Sequence, residues 1–216
     1  RGPNQHQLSL ANARAAGATL RGETHPPGWG AGATARTAVC GATGDPCDPQ
    51  RSAAGSSGGS GVALATGMVP IATGSDTGGS LRNPASFCNV VGFRPTPGVV
   101  PNSPGRDLWN SLPVKGPMAR TVRDAALLLS VLAGPSTSSP LASVVDGSRF
   151  AAVAAEPPDH EVLRGLRVAW SPGVGGIDMG PGVGSGPEER AGAELRAVGA
   201  VLVDRNHAGE FGGGDE

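Results

Sequence analysis

A chain of 216 residues with 38% hydrophobic residues can bury a core as one domain or two small ones, though aromatic residues are only 3% and tyrosine is absent. A net charge of −1, 16 arginines against a single lysine and no basic run together argue against an electrostatic nucleic-acid footprint. Cys40, Cys47 and Cys88 have neither C-x-x-C spacing nor a histidine cluster, and no apolar run approaches the roughly 20 residues of a membrane span or the pattern of an export signal. Disulfide framework, zinc site and membrane are therefore all disfavoured, and a reducing cytoplasm is the expected location.

Gly 36 and Pro 20 make up about a quarter of the chain, so an ordered middle with looser ends is expected. Residues 1–50 are rich in Ala, Gly, Arg and Pro, with a short helix at 8–16 ended by Gly17. From Gly58, small residues with Val62, Leu64, Ala65 and Met68 predict a tightly packed helix that loosens at Gly67. Residues 69–73 read as a buried strand and 76–80 as a glycine turn, in which Gly78 and Gly79 can take positive φ without a Cβ penalty. A second strand at 90–93 ends at Arg94-Pro95.

The clearest helix is 121–133. Thr121 and Asp124 resemble a capping box, Gly134-Pro135 is the stop, and Leu127, Leu128, Val131 and Leu132 form the apolar face. Residues 135–160, rich in Ser, Pro and Asp, read as a linker or long loop. A strand at 166–170, a glycine-rich loop at 173–186, a helix at 188–198 and a strand at 201–203 complete a β-loop-α-β pattern. The expected organisation is α/β, with a core in 1–134, a linker or long loop in 135–160 and a further α/β portion in 161–216.

Chemistry concentrates in two stretches, Gly55-Ser56-Ser57-Gly58-Gly59-Ser60 and Asp76-Thr77-Gly78-Gly79-Ser80-Leu81-Arg82. A serine hydroxyl is a poor nucleophile until a base takes its proton and N–H donors receive the oxyanion. A turn containing Gly78 and Gly79 can converge consecutive N–H groups into such a nest, with Ser80 at its end. Helix N-capping is the plain alternative for Ser56, Ser57 and Ser60. A phosphate-cradling turn is the alternative for 76–80, but the Gly-Lys-Ser/Thr ending is missing. His6, His25, His160 and His207 stand beside no apolar element, which disfavours a Ser-His-Asp arrangement. Cys88 reads as a buried structural thiol, while Trp29 and Trp109 could line a substrate funnel or belong to the core.

Residues 54–60 and 74–82, which contain these two stretches, together with Gly116-Pro-Met-Ala-Arg-Thr-Val-Arg-Asp-Ala-Ala-Leu-Leu-Leu129, strongly resemble the amidase signature family, in the family's order. Residues 41–49 and 87–96 resemble its connecting segments. The resemblance implies a mixed β-sheet core flanked by helices and hydrolysis of a carboxamide by a Ser, cis-Ser and Lys triad. In that triad Ser80 is the nucleophile and Ser56 the bridging cis-serine. It implies an oxyanion hole from the N–H groups of Thr77, Gly78, Gly79 and Ser80, supported by Ser57, Asp76 and Arg82, and no metal or organic cofactor. The family's lysine lies well upstream of the glycine-serine stretch, where this sequence has none. Lys115 stands downstream and reads as a surface charge, and Gly22-Glu23-Thr24-His25 replaces a frequent Gly-Lys-Thr-Asn.

The expectation is thus an incomplete amidase, lacking the family's N-terminal part with the lysine and its C-terminal part, and inactive as a fragment. Its expected partner is a small-molecule amide, with no nucleic acid and no membrane, and with homodimerisation left open. Two other readings stand beside it. One is the A subunit of a glutamyl-tRNA(Gln) amidotransferase, although Ser111-Leu112-Pro113-Val114 replaces the Ser-Ser-Leu-Asp usual there. The other is a truncated or decayed copy without turnover.

Overall fold

The computed structural model describes residues 8–24, 32–102, 107–156, 159–170 and 187–204. They fall into two units, 1–157 and 158–216. In chain order the first holds α1 (Leu8–Ala15), β1 (Arg36–Thr37), β2 (Gly41–Ala42), α2 (Gly58–Ala65), β3 (Ile71–Asp76), α3 (Arg82–Phe87), β4 (Val91–Gly92), β5 (Val114–Ala119), α4 (Val122–Leu132) and α5 (Ser148–Ala155). The second holds a 3-10 turn at His160–Leu163, β6 (Arg167–Trp170), α6 (Pro187–Ala197) and β7 (Val201–Asp204).

The sheet that positions the site is antiparallel, in the order β3-β5-β4. Its central strand, β5, was not expected, because a glycine and a proline in mid-strand argue against a central position. Two local facts reconcile them. Gly116 packs where an added Cβ would lie 2.2 Å from the Phe93 carbonyl oxygen, so only glycine fits. Thr73 pairs with Pro117, yet the Thr73 carbonyl points away from β5 and accepts a bond from the Ser60 hydroxyl. The missing proline N–H therefore faces the other side, where the β4 ladder has ended and Phe93 N–H donates to the Pro117 carbonyl.

Two apolar clusters hold this unit together. Leu64, Leu81, Ala85 and Met118 join α2, α3 and β5, with Val69, Ala72 and Val90 packed around them. Leu64, Leu81 and Met118 have no exposed surface, and such burial stabilises by about 1.5–3 kcal/mol per side chain. The other cluster joins Val99 and Val100 to Leu128, Leu129 and Leu132 of α4, with Val145 and Phe150 against it.

Helix α4 begins as its sequence predicts. The Thr121 Oγ1 accepts the Asp124 N–H at 3.0 Å, and the Asp124 carboxylate, one methylene shorter than glutamate, takes the Thr121 hydroxyl proton at 2.8 Å instead of reaching back to the backbone. Its buried face is Ala125, Leu128, Leu129 and Leu132, the i, i+3, i+4, i+7 pattern, whereas Leu127 is half exposed. The expected stripe was thus rotated by one position. The segment 135–160 also differs from a linker. Helix α5 lies within it, against α4, where the Arg123 side chain donates to the Ala154 carbonyl and Gly147 comes within van der Waals contact of the Ser130 carbonyl. An Arg-Phe-Ala-Ala-Val run supplies enough apolar surface for this docking, despite the polar residues before it.

In the second unit β6 and β7 pair in parallel, Arg167 with Val201 through Trp170 with Asp204. Parallel neighbours require a crossover, and α6 supplies it, as the β-loop-α-β reading expects. Among the described residues no helix is long and apolar enough to cross a membrane.

Candidate active site

The two serine stretches meet. The Ser57 N–H donates to the Ser80 carbonyl at 3.0 Å, joining the start of α2 to the turn between β3 and α3. The Gly55-Ser56 peptide bond is cis, at the position the family resemblance assigns to the bridging serine. Ser56 is 8% exposed, and neither its hydroxyl nor that of Ser80 has a protein partner among the described residues.

The neighbouring serines are committed otherwise. Ser57 occupies the N-cap position of α2 but makes no side-chain cap bond. Its Oγ accepts the Ser75 N–H at 3.2 Å instead, while the Ser60 hydroxyl donates to the Thr73 carbonyl at 3.0 Å and lies 2.9 Å from the Thr24 hydroxyl. The capping alternative therefore does not describe Ser57 or Ser60. Both dock α2 sideways onto the outer edge of β3, and Ser56 is left over.

Asp76 ends β3 fully buried, and everything around it donates to it. Oδ1 accepts the Gly79 N–H at 2.8 Å, Arg82 Nη2 at 3.0 Å and Arg94 Nη1 at 3.1 Å. Oδ2 accepts Arg82 Nε at 2.8 Å and the Arg82 N–H at 3.3 Å. Burial alone would raise the carboxyl pKa. The bonds from Arg82 and from the Gly79 N–H outweigh it and hold Asp76 well below the usual carboxylate range. Asp76 and Arg82 thus brace the turn.

This bracing also uses part of the turn's backbone. The Gly79 N–H is spent on Asp76, and its φ of 106° is one that favours glycine, with Asn83 packed where a Cβ would stand. The Thr77, Gly78 and Ser80 N–H groups have no acceptor among the described residues.

Lys115 corrects the sequence expectation. It is half-buried, its strand position pairs with Ser75, and it lines a cavity of about 310 Å³ together with Ser56, Ser57, Ser60 and Thr73. Burial pushes its pKa down. The surface reading failed because register was not visible: an unrecognised strand carried the lysine to the serine cluster. Ser80 does not line this cavity.

Cys88 is buried with its Sγ toward the Ala53 carbonyl, and burial, then Asp45 and Cys47, push its thiol up to about 11, so it stays protonated and inert. Trp109 is 75% exposed, which removes it from the core, while Trp29, His6, His25 and His207 lie outside the described residues.

The model of the amidase family matches residues 3–207. The chain belongs to the amidase family. As an amidase-family chain it is 40% identical over 162 residues to the acylamidase of Rhodococcus erythropolis, covering 75% of this chain and 33% of that protein. It is 44% identical over 133 residues to the A subunit of the glutamyl-tRNA(Gln) amidotransferase of Thermus thermophilus, covering 62% and 28%. The solved structure of 6-aminohexanoate cyclic dimer hydrolase with substrate matches it with a TM-score of 0.79 and 33% identity over 92% of this chain and 41% of that one. The chain therefore spans well under half the length of these relatives.

Two residues of this amidase-family site escaped the sequence reading. Arg94 donates to both the side chain and the main-chain carbonyl of Asp76, and Thr24 bonds Ser60. Arg94 stood in a segment resembling the family, and its position just past the end of a short strand was the one signal available.

Proposed function

We propose that this chain carries the nucleophile, the relay serine and the oxyanion turn of an enzyme that hydrolyses a carboxamide C–N bond. The observation that carries the reading is the junction of the two stretches: one backbone bond from Ser57 to Ser80, with the Ser56 and Ser80 hydroxyls both unengaged beside it.

Ser80 Oγ attacks the amide carbon, its proton passes to Ser56, and Ser56 hands its own to an amine base. The carbonyl becomes an oxyanion facing the Thr77, Gly78 and Ser80 N–H groups. Losing one such donor costs about 3 kcal/mol of transition-state stabilisation. Collapse breaks the C–N bond as the departing nitrogen takes a proton back through Ser56, leaving an acyl ester on Ser80. Water hydrolyses that ester by the same relay. In the family the base is a lysine upstream of the glycine-serine stretch, and no lysine of this chain stands upstream of Ser56. The 216-residue chain alone is therefore expected to turn over little amide. The cleaved amide is the small-molecule partner.

The test is fluorophosphonate labelling of a form extended to the length of the relatives and carrying the upstream lysine. Ser80 becomes labelled and Ser80→Ala abolishes labelling. Label that survives the alanine change moves the nucleophile elsewhere, and an extended form that resists labelling altogether favours a non-catalytic copy.

A second reading, the A subunit of an amidotransferase, is favoured by the 44% identity to the Thermus thermophilus protein. Glutaminase activity that appears only with partner subunits decides for it. Hydrolysis of aryl or alkyl amides by the extended form alone decides against it.

A further inference from the structure

The Arg94 guanidinium sits where three elements end. β3 and β4 both run antiparallel to β5, so the end of β3 at Asp76, the residues following β4 and the start of β5 lie on one edge of the sheet. Arg94 leaves β4 and reaches across the start of β5 to Asp76. There Nη1 donates to the Asp76 main-chain carbonyl and, at 3.1 Å, to Oδ1, while Nη2 donates at 2.9 Å to the Leu112 carbonyl. Its side chain is only 20% exposed, against 54% for the other arginine on the same carboxylate, Arg82.

The two arginines divide the work. Arg82 follows Ser80 in the chain and holds Asp76 from the helix side, through α3. Arg94 holds the carbonyl that immediately precedes the Thr77 N–H, and so fixes the plane of the peptide that presents the first free donor of the turn. The same guanidinium fastens the 107–112 segment, in which Asn110 Oδ1 also accepts the Leu112 N–H at 3.0 Å and Trp109 and Leu112 stand exposed. The guanidinium divides these acceptors between two nitrogens, Nη1 on Asp76 and Nη2 on Leu112; an ammonium offers its three N–H donors from a single nitrogen and lacks the fork that spans both segments.

We propose that Arg94 is a positioning residue for amide turnover, which orients the Thr77 donor through Asp76 and locks the oxyanion turn to the 107–112 segment. This rests on the hydrolase reading above. It touches no reacting atom, so its removal is felt in the transition state through misplaced donors and not through lost substrate binding.

The experiment is steady-state kinetics of the extended form with an amide substrate, on the parent, Arg94→Ala and Arg94→Lys. In Arg94→Ala, kcat falls by about thirtyfold or more while KM stays within about threefold, as expected for donors displaced by about 1 Å. Added guanidinium restores part of kcat, and ammonium at equal ionic strength does not. Arg94→Lys keeps the charge but stays at least tenfold below the parent. A folded Arg94→Ala with kcat within threefold of the parent overturns the proposal, as does a loss carried wholly by KM. If Arg94→Ala does not fold, Arg94→Lys decides: parent-like kcat overturns the proposal, and so does a failure of the lysine variant to fold. Turnover that survives Ser80→Ala marks failure of the hydrolase reading itself, whatever Arg94 does.

Discussion

Replacing Asp76 by asparagine keeps the shape of the side chain and removes its charge. In the parent, Oδ1 faces three N–H donors and Oδ2 faces two. The amide has one oxygen, so in either orientation its NH2 group confronts at least two other donors. Removing one member of a buried ion pair costs about 3–5 kcal/mol, and hydrogen bonds to charged groups contribute about 1.5–3 kcal/mol each. Half of the Arg82 side chain is already exposed and can turn to water, which reduces its share. Arg94 cannot do so as freely. The expected loss is about 2–4 kcal/mol, read as the difference in urea unfolding between parent and variant at pH 7, by tryptophan fluorescence and circular dichroism in the extended form.

The pH dependence gives a second handle on the same variant. Because the folded pKa of Asp76 is held below its ordinary value of 3.8, its contribution is complete above that value and is lost as pH falls toward the folded one. The gap between parent and Asp76→Asn should therefore stay constant from pH 7 to about pH 5 and close on further acidification. A gap under about 0.5 kcal/mol at pH 7, or one that widens in acid, would refute the bracing argument.

Three further outcomes are expected. Thr121→Ala removes the cap of α4 and should lower unfolding free energy by about 1 kcal/mol, with Thr121→Ser restoring most of it; an unchanged urea midpoint in the alanine variant contradicts the cap. Under native conditions at pH 8 a thiol reagent should modify the exposed Cys40 and Cys47 rapidly and Cys88 only after denaturation, and equal rates at all three would contradict its burial. Lys115→Met should raise the urea midpoint at pH 7, because a half-buried ammonium whose pKa is lowered by burial destabilises the fold until it loses its proton. That advantage should shrink as pH rises toward 10.5, the ordinary lysine value, and a variant less stable than the parent would contradict it.

Local turn and cap chemistry was more legible than strand register. Glycine and serine clusters announce their backbone geometry locally, so the turn after β3, the bracing pair Asp76 and Arg82 and the cap at Thr121 could be named from the chain alone. Helix α6 and the parallel strands flanking it were similarly visible from their patterning. What was hidden depends on register. β5 carries residues that argue against a strand, and only its neighbours show why Gly116 and Pro117 fit. With β5 unseen, Lys115 could not be placed beside the serines, nor Arg94 across the strand's start. Ser57 and Ser60 showed the same limit: helix capping was the alternative their sequence position offered, and that β3 lies beside them depends on tertiary packing.

Those two hydroxyls have one more effect. A border strand offers its amide ladder to any passing extended peptide, which is how many proteins begin to clump. Along 73–75 the Thr73 carbonyl and the Ser75 N–H are already taken by two short side chains, which narrows what the outer flank of the sheet can offer. Truncating both to alanine should make concentrated samples sticky.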